Sequence, residues 1–105
     1  MTTLHLTLKK KWFDKILSGE KKEEYREAKP YWISRLIANT LGYTTLFKRF
    51  DHIIFKNGYG KDAPTMTVEC LGIELRKHKH VALDTIALGT GELFVIKLGK
   101  VLELR

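Results

Sequence analysis

With 105 residues, 44% of them apolar, the chain is long enough to bury one core and too short for two, which predicts a single domain over residues 1 to 105. Its one cysteine, Cys70, excludes an intramolecular disulfide and a multi-thiolate zinc site, and no apolar run reaches the roughly 20 residues of a membrane helix. The net charge of +7 is uneven: residues 1 to 61 carry 13 Lys or Arg against 6 Asp or Glu, and residues 62 to 105 carry 6 of each, the footprint of a phosphate-backbone binder or of a solvating basic face.

The polar start at Thr2 and Thr3 is no signal-peptide h-region, so a soluble, cytoplasmic protein without membrane contact is expected. Leu4, Leu6 and Leu8 alternate with His5 and Thr7, the period of a half-buried strand. From Lys11 the period becomes helical through Trp12, Phe13, Ile16 and Leu17, and Gly19 is placed to cap a helix ending near Ser18. Lys22 to Glu27 reads as a strand with charges on both faces. Pro30 suits the first position of a second helix, with Tyr31, Trp32, Ile33, Leu36 and Ile37 as its apolar stripe and Gly42 as its stop, followed by a loop over Tyr43 to Arg49.

His52 to Lys56 is a strand, Asn57 to Lys61 a glycine-rich turn, and Thr65 to Arg76 a longer strand with Met66, Val68, Cys70 and Leu71 inward and a bend at Gly72. Leu93 to Leu98 and Val101 to Leu104 give two further strands. The expected class is α+β: two helices and five or six strands in a small mixed β-barrel, closed or nearly so, which leaves few exposed edges.

The segment Gly19-Glu20-Lys21-Lys22-Glu23-Glu24-Tyr25-Arg26 is the most informative. In a regular strand Glu24 and Arg26 project from one face, and Lys21 sits where the chain enters it. Arg26 offers a planar fork for a phosphate, carboxylate or base edge, Lys21 a compact charge, and Glu24 an acceptor or general base. On a solvated face the same residues form ion pairs worth at most about 1 kcal/mol each.

Gly19, Lys21, Glu24 and Arg26 fit the pattern G-x-K-x-x-E-x-R, and in this the chain resembles the ASCH family of PUA-like barrels. The opening from Leu4 to Ser18, the strand end Phe55-Lys56-Asn57-Gly58-Tyr59 and the closing Phe94-Val95-Ile96-Lys97-Leu98 are similar to these domains too, while residues 31 to 49 are less so. The resemblance implies a PUA-like barrel with a cleft floored by the motif, and RNA binding or RNA-linked chemistry. One relative of these barrels hydrolyses the acetyl amide of N4-acetylcytidine with a lysine and a threonine in a G-x-K-x-x-T segment. Here Glu24 stands in the threonine's place, and a carboxylate does not substitute for a hydroxyl nucleophile. Nuclease activity is known in other ASCH-like proteins, where Lys21 and Glu24 would act as electrostatic stabiliser and general base.

Tyr59, between Gly58 and Gly60, is placed to swing over a ligand and stack on a base or to lie over the barrel end; Lys61 adds a phosphate contact, and Lys9 to Lys11 a second basic patch. Trp12, Phe13, Trp32 and Phe94 read as core. His78 and His80 flank Lys79 without a carboxylate or cysteine beside them, His5 and His52 read as surface residues, and Gly89 to Gly91 reads as a turn, so neither metal nor cofactor is expected. Three functions follow: an RNA- or nucleotide-binding protein using Lys21, Glu24, Arg26, Tyr59 and Lys61; a hydrolase of RNA or a modified nucleoside; and an interaction module for an acidic protein.

Overall fold

A computed structural model describes residues 2–41, 44–77 and 92–105. In chain order these form β1 (Thr3–Leu8), α1 (Lys10–Leu17), β2 (Glu23–Glu27), α2 (Pro30–Leu36), β3 (Ile37–Leu41), β4 (Thr44–Phe47), β5 (His52–Asn57), β6 (Thr65–Lys77) and β7 (Glu92–Leu104). The α+β expectation with two helices holds. A five-stranded mixed sheet has the order β1, β5, β6, β7, β2, and β3 and β4 make a separate two-stranded sheet. No helix among the described residues is long and apolar enough to cross a membrane.

The chain packs as two compact units, one of Met1–Glu24, Arg49–Gly72 and Lys97–Arg105, the other of Tyr25–Lys48 and Ile73–Ile96. In the first, the leucine alternation of β1 meets that of β5 in a parallel pair, with Leu4 opposite Ile53 and Leu6 opposite Phe55. Antiparallel β6 continues both rows, setting Val68 against Ile53 and Met66 against Phe55. All six side chains are buried, and each such aliphatic or aromatic group contributes about 1.5–3 kcal/mol. Helix α1 lies against β1 and β5 and buries Phe13 and Ile16.

The second unit buries Leu36 and the run Leu93 to Ile96, with Phe47 edge-on to Phe94 at 6.3 Å. Pro30 stands in the first turn of α2 as its fixed φ and missing N–H favour. The helix ends at Leu36, well before Gly42, and Ile37–Leu41 and Thr44–Phe47, expected as helix and loop, are instead the antiparallel strands β3 and β4. Asn39 and Thr40 are poor helix formers, and the β-branched residues of Ile37–Leu41 and Thr44–Phe47 favour a pleated pair. The Lys48 N–H donates to the Leu36 carbonyl at 2.8 Å, closing that pair on the helix end.

Two other expectations change. Leu71 points outward, 65% exposed, next to Gly72, whose φ of 143° marks the bend in β6. The two closing strands are one, β7, running through Gly99. Glycine there is needed for close approach: a Cβ on Gly99 would lie 2.8 Å from Glu69 Oε1 and 2.9 Å from Glu69 Cβ, while that same Oε1 accepts the Lys100 N–H at 2.9 Å. Gly42, Tyr43, the His78/His80 pair and the Gly89 to Gly91 turn lie outside the described residues. Gly99→Ala is expected to lower stability by about 1–3 kcal/mol in urea or thermal unfolding, the usual cost of overfilling a packed contact. An unchanged midpoint would show that Glu69 yields freely.

Candidate functional site: the end of helix α1

Helix α1 presents Phe13 and Ile16 to the core, one turn apart, so the residues bordering them on the helix surface, Trp12 and Leu17, fall at the edge of the buried stripe. Trp12 is therefore not a core residue: it is 39% exposed. Around its ring stand three ammonium groups, Lys11 at 4.9 Å from the centroid, Lys21 at 5.4 Å and Lys15 at 5.7 Å. Asp14, the acid nearest in sequence, is engaged by Lys10 at 2.6 Å.

Lys21 reaches this cluster because of how the helix ends. Gly19 takes a φ of 84°, a left-handed conformation that costs glycine little, and its N–H donates to the Ile16 carbonyl at 3.0 Å. The Lys15 carbonyl then receives both the Ser18 hydroxyl and the Lys21 N–H, each at 3.0 Å. That second bond folds the chain back on the helix end and turns Lys21 toward Trp12.

From there Lys21 also faces Glu24, with Nζ 3.5 Å from Oε1. Glu24 is 5% exposed and is the buried charged residue among those described; the Lys21 side chain is 15% exposed. Lys21 and Glu24 are thus brought together. Arg26 is half-buried, its guanidinium donating to the Tyr25 carbonyl at 2.8 Å and lying 5.4 Å over the Trp32 ring. Trp32 itself is half-buried and meets Tyr31 edge-on at 4.8 Å.

Tyr59 and Lys61 stand on the turn after β5, both exposed, Tyr59 to 90%. Helical spacing alone assigns Trp12 to the core, an expectation its exposure corrects. The signal available was its neighbourhood of Lys9, Lys10, Lys11 and Lys15, more cations than a core aromatic normally keeps beside it. Cys70 is half-buried, and burial pushes its thiol above the ordinary range; a backbone hydrogen bond from Gly72 opposes this and the Asp51 carboxylate adds to it. Among the described residues no three His, Cys, Asp or Glu side chains gather as a metal site.

Chemically, the helix end offers an accessible indole face or edge, a local excess of positive charge, and one shielded carboxylate paired with one of the cations. No family model, curated protein or solved structure matches the chain.

Two outcomes are expected. In a double-mutant cycle on unfolding free energy, Lys21→Met and Glu24→Gln should couple by about 1–3 kcal/mol, as for a shielded pair in contact; a coupling below about 0.5 kcal/mol would make the pair a solvated one. The thiol of Cys70 should be alkylated more slowly in the native protein than in urea at the same neutral pH. Because its folded-state pKa is raised, its contribution to stability is complete below the ordinary thiol value of about 8.5 and declines as pH rises from there toward the folded value. Equal alkylation rates would place the sulfur in water.

Proposed function

We propose that this chain is an ASCH-type, PUA-like barrel protein that binds RNA or a nucleotide-like ligand, with Trp12 as the platform for a base and Lys11, Lys15 and Lys21 facing its phosphate. The observation that carries this reading is the cluster of three ammonium groups within 5.7 Å of a partly exposed indole. Cation–π attraction at an exposed ring is worth only about 0.5–1 kcal/mol. Against it stands the repulsion among the cations: Lys11 and Lys15 are like charges four apart on a helix, an arrangement that costs a few tenths of a kcal/mol. A bound phosphate relieves that repulsion, and a base on the indole adds about 1–3 kcal/mol of stacking.

The G-x-K-x-x-E-x-R resemblance supports the same ligand class; Arg26, the last position of the motif, has its described contacts with Tyr25 and Trp32 in the second unit. Hydrolysis is the second reading, favoured by the shielded Lys21–Glu24 pair, in which Glu24 takes a proton from water and Lys21 stabilises the charge that develops. Product formation from RNA or acylated cytidine would separate it from binding alone.

Titration of the protein with adenosine and uridine monophosphates should quench tryptophan fluorescence, with affinity falling as salt rises. Trp12→Ala should remove the quenching and weaken binding by about 1–3 kcal/mol in a protein that still unfolds cooperatively at a somewhat lower midpoint, while Trp32→Phe retains both quenching and affinity. Nucleotides that fail to bind, or that bind Trp12→Ala as well as the unaltered protein, would overturn the assignment.

A further inference from the structure

Resting on the nucleotide-binding reading, we infer that the ligand is a single-stranded polynucleotide of at least two residues, which runs from Trp12 across the end of the β1/β5 pair to a second stacking platform at Tyr59.

β1 and β5 are parallel and paired to their last residues, Leu8 opposite Asn57, so whatever follows the two strands emerges at the same end of the sheet. After Leu8 come Lys9, Lys10, Lys11 and Trp12; after Asn57 come Gly58, Tyr59, Gly60 and Lys61. The two turns are tied together, since the Gly58 N–H donates to the Leu8 carbonyl at 2.9 Å.

The Tyr59 turn is held while its ring is not. Asn57 N–H donates to the Pro64 carbonyl at 2.9 Å and Ala63 N–H to the Gly60 carbonyl at 3.2 Å, and Gly58 takes a φ of 87°. Tyr59, carried on that braced backbone, is 90% exposed. An aromatic ring left in water gains the fold nothing by burial, and a braced turn presents it at little ordering cost. It is suited to stacking on a base.

Charge points the same way. Lys9, Lys10, Lys11 and Lys61 are exposed and Lys56 is half-buried. Neither segment contains an acid, and those that follow them are Asp14, engaged by Lys10, and Asp62. Two aromatics set among these lysines suit a polyanion whose bases are free to splay, whereas a duplex keeps its base faces stacked inside. An acidic peptide would use the lysines but leave both rings without a partner.

The test measures affinity of the full chain for nucleoside monophosphate and for single-stranded RNA and DNA oligomers of two, four and eight nucleotides, with duplex and polyglutamate as competitors. Affinity is expected to rise at least tenfold from monophosphate to tetramer, with a steeper salt dependence for the oligomers. Tyr59→Ala should collapse that length dependence by about 5- to 100-fold, and Tyr59→Phe should restore it. RNA and DNA of equal affinity would place recognition in stacking and phosphate; preference for RNA would add the 2′-hydroxyl, and both outcomes support the track. Monophosphate binding with no length dependence, or length dependence untouched in Tyr59→Ala, would overturn the track and leave the Trp12 site standing. Displacement by polyglutamate or duplex as effective as by single strand would also overturn it. No monophosphate binding at all would remove the underlying reading.

Discussion

A carboxylate withdrawn from water has to be matched by a cation, and at Glu24 the matching cation is Lys21. That requirement fixes much else at this end of the molecule. Lys21 can face Glu24 only if the chain leaves α1 by a sharp reversal, which the left-handed Gly19 and the Lys21 N–H to Lys15 carbonyl bond provide. The same reversal sets the Lys21 ammonium beside Trp12, where Lys11 and Lys15 already stand. Structural compensation and local positive potential therefore come from one side chain.

Seen this way, three of the four spaced positions in Gly19-x-Lys21-x-x-Glu24-x-Arg26 have local physical reasons. Glycine makes the reversal, lysine and glutamate make the shielded pair. Positions with such reasons can serve folding without a shared ligand. Arg26, held by the Tyr25 carbonyl and lying over Trp32, has contacts of its own in the second unit.

Where local chemistry decided the structure, it was legible in the sequence. The Leu4, Leu6, Leu8 alternation, the Gly19 cap, Pro30 at the head of α2 and the Met66/Val68 face of β6 all follow from a period or a backbone preference within a few residues. What was not legible depended on distant partners. Ile33, Leu36 and Ile37 have helical spacing, yet the helix stops at Leu36 because pairing with Thr44–Phe47 offers Ile37 onward a better use of its β-branched residues. Gly99 looked like a break between two strands, and only Glu69, thirty residues earlier, explains it as a point of close contact inside one. Trp12 shares its helical spacing with Phe13 and Ile16, and the pattern alone does not say which residues fall at the edge of the stripe.

The candidate nucleic-acid surface shows the same limit on a larger scale. The charge count places an excess of cations somewhere in residues 1 to 61, but Lys9 to Lys11 and Lys56 to Lys61 are separated by more than forty residues of mixed character. Had β1 and β5 paired antiparallel, the turn after each strand would lie at opposite ends of the pair and the basic segments would be a strand's length apart. Because they pair parallel, with Leu8 level with Asn57, both basic turns and both exposed aromatics leave the sheet at one end. Strand direction, a long-range property that no local period reveals, is what brings two basic segments far apart in sequence to one end of the sheet.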